Sequence, residues 1–137
     1  MTTTSCDYKK LRAGQVMNPG VQWAERTENL RAAAERMANH GIRALLVRGH
    51  EPEDLPGILS GKDIVNLIGA HDLGVLDQLH VEDAATHPAI CVPETANLGD
   101  CINLMRMSGV RRLPVLRGTT VVGILSLTDV LDRLLKC

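Results

Sequence analysis

The chain has 137 residues with 45% hydrophobic and 23% charged side chains, and its formal net charge at pH 7 is -1. A chain of this length fits one compact domain with a buried core. Without a basic excess it is poorly suited to neutralise phosphates, and one Trp, one Tyr and no Phe provide no stacking platform for bases. No apolar run approaches the roughly 18 residues of a membrane span, and the N-terminus lacks a signal-peptide pattern. We therefore expect binding to neither nucleic acid nor membrane.

The four cysteines show no CxxC spacing, which indicates free thiols in a reducing cytoplasm. Cys101 falls on an apolar helix face and is predicted to be in the core. Cys6 and Cys137 are near the termini, where they are accessible to oxidation. The five histidines are scattered without the paired spacing of metal ligands, so we expect no metal site.

In chain order, residues 1–10 have no counterpart elsewhere and are expected to fray or to form a short helix through Tyr8–Leu11. The next residues have the pattern of a strand, a helix, two strands and a helix. The predicted elements are a strand at Val21–Trp23, a helix on the stripe of Leu30, Ala33, Ala34 and Met37 that ends at Gly41, strands at Ile42–Val47 and Gly57–Ser60, and a helix from Gly61 to about Gly69. Ile64, Val65 and Ile68 of this last helix are predicted to face inward.

A linker and leading segment, at roughly His71–Thr86, precedes a second series of the same elements. The predicted elements are a helix on the stripe of Leu98, Cys101, Ile102 and Met105 that ends at Gly109, a strand at Val110–Leu116, a tight hairpin at Arg117–Thr120, a strand at Val121–Ser126 and a helix at about Leu127–Lys136. The segments before each first strand also correspond, because Asp83–Thr86 occupies the position of Gln15–Asn18.

The two halves repeat in sequence as well as in pattern. Residues of the first half recur 68 positions later, among them Gly41, Arg43, Leu45 and Val47, which match Gly109, Arg111, Leu113 and Val115. The motif Gly-Ile-Leu-Ser-x-x-Asp occurs at 57–63 and again at 123–129. A tandem duplication implies two equivalent clefts around an approximate twofold axis, so any site is expected in two copies.

These repeated motifs resemble the CBS domain in tandem, known as a Bateman module, over about residues 11–136. The residues that carry the resemblance are Gly-Ile-Arg-Ala-Leu-Leu-Val (41–47), Gly-Val-Arg-Arg-Leu-Pro-Val (109–115) and the two Gly-Ile-Leu-Ser-x-x-Asp segments. The resemblance implies an α/β fold, an α+β sandwich of two β-α-β-β-α repeats that pack through their sheets as a pseudo-twofold module. The implied boundaries are a tail at 1–10, repeat one at 11–71, a linker at 72–80 and repeat two at 81–137.

The resemblance also implies a function. CBS modules bind adenine nucleotides or related adenosyl ligands and pass their occupancy to an attached or separate effector. No effector domain is present in this sequence, so a stand-alone regulatory module is expected, as a homodimer that modulates a separate partner protein in the cytoplasm. AMP, ADP, ATP and S-adenosylmethionine are the expected regulatory ligands, and no cofactor is obligatory. The alternative is a ligand-free module for dimerisation and interaction.

Ser60 with Asp63, and Ser126 with Asp129, have the spacing of a capping box, which explains them without a ligand. A helix N-terminus also offers N–H groups to phosphate. In the CBS family the matching hydroxyl contacts phosphate and the matching Asp contacts ribose. Both roles stay open, because capping orients side chains that a ligand can then contact.

Arg43 and Arg111 are candidates for a bidentate phosphate contact, and the alternative is a solvated edge or a salt bridge. Arg112 has no match in repeat one, where Ala44 stands. If Arg112 binds phosphate, the two clefts differ.

Asn18 and Thr86 end the two segments that correspond to the region lining the base pocket in the CBS family. Small and aliphatic residues in these segments suit a flat purine, and they suit ordinary core packing equally well. Upstream of the first helix of each repeat, N-capping accounts for the polar pairs Thr27 with Asn29 and Thr95 with Asn97, and ligand contact is the alternative.

The sequence departs from the family pattern in three places. Leu46 stands where repeat two has Pro114, Ala85 replaces a commoner Met, and the first hairpin carries the acidic insert 51–54. If the insert approaches the first cleft, it repels phosphate there. The second-repeat motif is therefore ranked above the first as a ligand site.

Enzyme motifs are absent from the sequence. No GxSxG elbow surrounds Ser60 or Ser126, and the Gly-Lys pair at 61–62 lacks the spacing of a phosphate-binding P-loop. We therefore expect no catalytic residues in this chain.

Overall fold

A computed structural model describes residues 7–136, so the predictions about Cys6 and Cys137 lie outside the described residues. The chain divides into two compact units. The first-repeat unit is Gln22–Ala89, and the second-repeat unit contains the described residues up to Val21 and from Ile90 onward. Each unit therefore includes the leading segment of the other repeat.

Both units have the predicted α/β composition, with a three-stranded sheet and helices. The helices are α1 (Ala13–Val16), α2 (Leu30–His40), α3 (Gly61–Ala70), α4 (Val81–Ala84), α5 (Leu98–Ser108) and α6 (Leu127–Leu135), with short 3-10 helices at Tyr8–Lys10 and Leu73–Asp77. The strands are β1 (Trp23–Ala24), β2 (Ala44–Val47), β3 (Gly57–Ser60), β4 (Val92–Pro93), β5 (Arg112–Arg117) and β6 (Thr120–Ser126). The prediction of two β-α-β-β-α repeats is confirmed.

The two sheets share one topology. In the first-repeat unit the strand order is β1-β2-β3, with β1 parallel to β2 and β2 antiparallel to β3. In the second-repeat unit the order is β4-β5-β6, with the same directions. The central strand of each sheet is the one that follows the long helix, as the duplicated sequence requires.

The long helices α2 and α5 begin and end where local chemistry dictates. Asn29 caps α2 by accepting a hydrogen bond from the Ala32 amide, and Asn97 caps α5 by accepting one from the Gly99 amide. The caps are therefore the two asparagines rather than the threonines that precede them. Gly41 and Gly109 end these helices in the left-handed conformation, with φ of 64° and 76°, which glycine adopts without a side-chain clash.

The predicted strand starts at Ile42 and Val110 were two residues too early. Ile42 donates its amide to the carbonyl of Met37, so this residue still belongs to the helix end. The residue after it, Arg43, directs its carbonyl to the first amide of α3 instead of to the sheet. The predicted first strand was also displaced, because the pairing with β2 involves Trp23 and Ala24.

The core of the first-repeat unit lies between its sheet and helices. It is built from aliphatic side chains of all the main elements, chiefly Leu30, Ala33, Met37, Leu45, Val47, Leu59, Ile64, Leu76 and Val81. The inward orientation of Ile64 is confirmed, and Ile68 packs against this core as a partly buried residue. The prediction for Val65 was wrong, because its side chain is 66% exposed. Adjacent helix positions point about 100° apart, so Val65 cannot share the inward direction of its neighbour.

The second-repeat unit has an equivalent core. Its buried members are Ala13, Val92, Leu98, Cys101, Met105, Leu113, Val115, Leu125 and Val130. The core position predicted for Cys101 is confirmed, since its exposure is 1%. None of the helices within residues 7–136 combines the length and the apolar character that a bilayer-spanning segment requires.

Candidate functional site

The first candidate cluster lies where β3 passes into α3. Ser60 is the N-cap of α3, and one carboxylate oxygen of Asp63 accepts both the Ser60 amide at 2.8 Å and the Ser60 hydroxyl at 3.0 Å. The Asp63 amide in turn donates to the Ser60 hydroxyl oxygen at 3.4 Å. The predicted capping box is therefore present. The second oxygen of Asp63, Oδ1, makes no hydrogen bond to any residue that the structure describes.

The second cluster repeats this arrangement where β6 passes into α6. One oxygen of Asp129 accepts the Ser126 amide at 3.2 Å, and the Asp129 amide donates to the Ser126 hydroxyl oxygen at 3.0 Å. The predicted capping box is present here as well. The two boxes differ in one respect. Ser60 donates its hydroxyl to Asp63, whereas the Ser126 hydroxyl donates to no acceptor among residues 7–136.

An arginine is tied to the beginning of each of these helices. The Arg43 carbonyl accepts the amide of Gly61, the first residue of α3, at 3.4 Å. The Arg111 carbonyl accepts the amide of Leu127, the first residue of α6, at 2.8 Å. Both arginine side chains are exposed. These backbone bonds thus place one exposed arginine next to the first residue of each helix.

At the strand position opposite the capping serine, the second cluster has a cation, Arg112, and the first has none. It stands opposite Ser126 in the pairing of β5 with β6, whereas Ala44 stands opposite Ser60 in the pairing of β2 with β3. Directly opposed residues in an antiparallel pair have Cβ atoms about 5 Å apart. The predicted difference between the clusters, Arg112 against Ala44, therefore lies directly across the strand pair from the capping serine.

The two leading segments join the clusters in a crossed manner. Thr86 exchanges two backbone hydrogen bonds with Ile58 of β3, at 2.9 and 3.0 Å. Asn18 exchanges two with Ile124 of β6, at 2.8 and 2.9 Å. Thr86 thus lies with the first-repeat cluster and Asn18 with the second. Sequence order alone does not reveal this crossing, because each segment precedes the repeat whose cluster it does not join.

Both leading segments press against a glycine that the motif supplies. A Cβ on Gly57 would lie 2.3 Å from the His87 ring, and a Cβ on Gly123 would lie 2.5 Å from the Met17 sulfur and 2.9 Å from the Asn18 carbonyl oxygen. Only glycine allows this approach. His87 was not predicted to belong to the site region, since nothing in the sequence around it marks a contact with β3.

The acidic insert lies away from the first cluster. β2 and β3 pair from Ala44 with Ser60 at one end to Val47 with Gly57 at the other, and the insert joins the second end. Three residue steps along a strand span about 10 Å, a distance over which exposed charges are largely screened at physiological salt. The insert therefore gives little reason to rank the clusters, and the ranking depends on Arg112 and the Ser126 hydroxyl.

The clusters have the chemistry of an anion site joined to a diol site. A helix N-terminus, a serine hydroxyl and an arginine can together bind a phosphate. The second oxygen of the capping aspartate can accept hydrogen bonds from sugar hydroxyls. Within residues 7–136, no group of three or more His, Cys, Asp or Glu side chains is placed to hold a metal ion.

A protein-family model described as the CBS domain matches residues 13–70 and 81–136, which together make up most of the chain. The chain belongs to the CBS domain family. The two matches contain the two capping boxes, so the clusters are those of the two CBS repeats. Members of this family act as regulatory modules, and many bind adenosyl ligands.

Known proteins support the same assignment. The chain is 32% identical over 124 residues to hypoxic response protein 1 of Mycobacterium tuberculosis, with 89% of this chain and 84% of the relative covered. It is 26% identical over 125 residues to an uncharacterized protein of Methanopyrus kandleri, where it covers 63% of the relative's length, less than two thirds. A crystal structure of CBSX2 in complex with AMP shares the fold with a TM-score of 0.77 at 22% identity, with 92% of this chain and 97% of that one covered.

Proposed function

We propose that this CBS module is a regulatory sensor that binds an adenosyl ligand, such as AMP, ADP, ATP or S-adenosylmethionine, and modulates a separate partner protein. One observation carries the proposal. In each capping box one aspartate oxygen holds the serine amide, while the other oxygen, at the same helix N-terminus, has no partner among residues 7–136. Such an aspartate is fixed in place and still able to accept hydrogen bonds from a ribose.

The phosphate end of the ligand would lie at the helix N-terminus. Free amides of the first turn attract an anion, and the serine hydroxyl and the neighbouring arginine add donors. This arrangement favours the second cluster. The Ser126 hydroxyl has no acceptor among the described residues, and Arg112 lies across the strand pair from it. The Ser60 hydroxyl, by contrast, is already donated to Asp63.

The purine would contact the leading segments. Asn18 in one cluster and Thr86 in the other pair with the strand position two residues before the capping serine. Positions two apart on a strand share a face and lie about 7 Å apart, so the leading segment and the capping serine are on the same side of the strand. Binding to one conformation more tightly than to another is what converts such occupancy into a signal. The AMP complex of CBSX2 supports adenosyl binding by this fold.

Thermal unfolding in the presence of nucleotides tests the proposal. A ligand that binds only the folded chain at 100 times its Kd adds about 2.7 kcal/mol to the unfolding free energy. We expect at least one of AMP, ADP, ATP and S-adenosylmethionine at 5 mM to raise Tm by about 5 °C or more, and CMP to leave it within 1 °C. No increase with any adenosyl compound would contradict the proposal.

Substitution of the aspartates shows where the ligand binds. Asp63→Asn with Asp129→Asn keeps an acceptor for each serine amide but removes the charge and one ribose acceptor. We expect the ligand-induced rise in Tm to disappear in this double variant. Asp132→Asn, on the exposed side of α6, is the matched control and should respond like the wild type.

A second candidate function, a ligand-free dimerisation and interaction module, is favoured by one feature of α6. Leu127, Leu131 and Leu135 are spaced by four residues and remain 51%, 54% and 76% exposed in the described chain. A contiguous apolar stripe of this kind is typical of contact surfaces. We propose that the chain forms a homodimer, and light scattering with wild type and Leu131→Glu tests it. A monomeric wild type, or a dimer that persists in Leu131→Glu, would contradict a role for this stripe.

The cytoplasm is the proposed location. Cys101 is a free thiol, which agrees with a reducing compartment. Fractionation of cells that produce the tagged chain tests this location, and recovery with the membranes would contradict it.

A further inference from the structure

The first-repeat unit contains a cleft that does not include the capping-box cluster. Its volume is about 630 Å³, within the range of small-molecule sites. It is lined by Arg26, Gly49, His50, Asp54, Leu55, Glu82, Asp83, His87 and Pro88. Arg43, Ser60, Asp63 and Thr86 are not among its lining residues, so the cleft does not include the side chains proposed to bind the adenosyl ligand.

The loop between β2 and β3 forms one wall of this cleft and is internally organised. The Asp54 carboxylate accepts the Glu51 amide at 2.9 Å, and the Asp54 amide donates to the Glu51 carbonyl at 3.1 Å. A Cβ on Gly49 would lie 2.4 Å from the Asp54 side chain, so glycine is needed at that position. The wall is therefore a defined turn that holds Asp54 at the cleft.

The lining also includes a second aspartate, Asp83. Asp83 accepts the His80 amide at 2.8 Å through one oxygen, which caps α4 and fixes the carboxylate. Neither Asp54 nor Asp83 has a cationic partner within residues 7–136. The remaining charges cancel, because Arg26 is paired with Glu82 at 2.6 Å. Its two histidines apart, the cleft carries two negative charges without a cationic partner in the described chain.

Apolar surface completes the lining. Leu55 is 46% exposed although it is a large aliphatic residue, and Pro88 is a further lining residue. The His87 ring lies against Gly57 and adds a flat surface to the lining. A ligand for the cleft therefore needs a positive charge for the carboxylates and an apolar part for Leu55.

We propose that this cleft binds an ammonium or guanidinium group attached to an apolar body. The group can belong to a free small cation or to a lysine or arginine side chain of a partner protein. Carboxylates held by backbone amides are well placed for such charge-assisted hydrogen bonds.

The second-repeat unit has no equivalent of this wall. There the strands are joined by a tight turn, with Arg117 paired to Thr120. Gln15 occupies the position that corresponds to Asp83, and its side chain accepts the Arg12 amide. The proposed cation site therefore belongs to the first repeat alone, with one site per chain.

Isothermal titration at 150 mM NaCl tests the proposal with two probes, agmatine and an N-acetylated, C-amidated peptide of alternating leucine and arginine. The test variant is Asp54→Asn with Asp83→Asn, which keeps an acceptor for each backbone amide. The control is Asp100→Asn with Asp132→Asn, which removes the same charge from exposed positions of the second-repeat unit. A second test variant, Leu55→Ser, removes the apolar contact.

We expect saturable binding of at least one probe by the wild type, with one site per chain. Affinity should fall at least tenfold in the Asp54/Asp83 variant, fall measurably in Leu55→Ser, and stay within twofold in the control. Agmatine binding alone assigns the cleft to a free small cation, and peptide binding alone assigns it to a protein side chain. No saturable binding, or an equal loss in the control, would overturn the proposal.

Discussion

The two units have matching cores but differ in the loop that joins the second and third strands of each sheet. Leu45 and Leu113, at corresponding positions of the central strands, are both fully buried. The first-repeat unit joins β2 to β3 through the loop that begins at Arg48. The second-repeat unit joins β5 to β6 through the tight turn after Arg117. The comparison teaches that the shared residues specify the fold, while the residues that differ determine what each unit can bind.

The central strands differ in one internal feature. The Leu46 amide donates to the Gln22 carbonyl at 2.9 Å, which ties β1 to its neighbour. Pro114 occupies the corresponding position in β5 and has no amide hydrogen to donate. Both side chains are nevertheless fully buried, so the difference affects backbone pairing and not burial.

The largest effect is expected from truncating the matched core leucines. Leu59 and Leu125 are both 0% exposed and occupy the same position of the duplicated motif. Each change to alanine removes buried apolar surface and leaves a cavity, and we expect a loss of about 2–5 kcal/mol in unfolding free energy. Urea denaturation of the two variants measures it. Losses that differ by more than about twofold would contradict the equivalence of the two cores.

The next effect distinguishes the two motif glycines. In Gly123→Ala the new methyl group would meet the Asn18 carbonyl oxygen, which is backbone, as well as the Met17 side chain. In Gly57→Ala it would meet only the His87 ring, which can rotate away. Overpacking of this kind costs about 1–3 kcal/mol. We expect Gly123→Ala to lie at the upper end and Gly57→Ala at the lower end.

Thermal denaturation of both glycine variants provides the measurement. His87→Ala combined with Gly57→Ala is the control, because removal of the ring should restore most of the stability lost in Gly57→Ala. A greater loss in Gly57→Ala than in Gly123→Ala would show that the leading segments are not held as the structure has them.

A smaller effect concerns an ion pair of the first-repeat unit. Arg31 hydrogen-bonds to Asp77, which lowers the pKa of that carboxyl and raises the pKa of the guanidinium. A carboxyl with a lowered pKa stabilises the fold above its unfolded-state pKa and loses that contribution as pH falls through the folded pKa. The Tm advantage of wild type over Asp77→Asn should therefore be present at pH 6 and vanish by about pH 2. An advantage that persists or grows at acid pH would contradict this account.

The smallest effect concerns the reactivity of the thiols. Within residues 7–136 both cysteines, Cys91 and Cys101, lie in the second-repeat unit. Burial raises the pKa of Cys91 and of Cys101, and for Cys101 the nearby Asp100 charge adds to the effect. The nucleophilic thiolate is thereby disfavoured. Peptide mapping after brief alkylation at pH 7.5 should show little label on Cys91 and least on Cys101. Labelling of Cys101 at the rate of an unfolded control would contradict its core position.

The sequence predicted well those features that depend on neighbouring residues, namely the helix caps and helix ends. The spacing of Ser60 with Asp63 specifies a capping box, and Gly41 specifies a helix end, because both depend on neighbours within a few residues. The apolar stripes likewise identified the helices and most of their buried faces. Val65 was the exception, since a run of aliphatic residues on a short helix does not show which of them face solvent.

Long-range placement could not be predicted from these patterns. The pairing of Thr86 with Ile58 joins segments that belong to different repeats, and no local propensity encodes it. The contact of His87 with Gly57 and the cleft beside Asp54 follow from that pairing. The effect of the acidic insert was misjudged for the same reason, because its distance from Ser60 depends on the register of β2 with β3.

The central claim is that the two capping boxes form adenosyl sites of unequal strength. Titration of AMP into Asp63→Asn and Asp129→Asn by calorimetry, with Asp132→Asn as the control, tests it most directly. We predict that Asp129→Asn loses at least ten times more affinity than Asp63→Asn, because Arg112 and the Ser126 hydroxyl strengthen the second cluster. Equal losses, a greater loss in Asp63→Asn, or no effect of either substitution would contradict the claim.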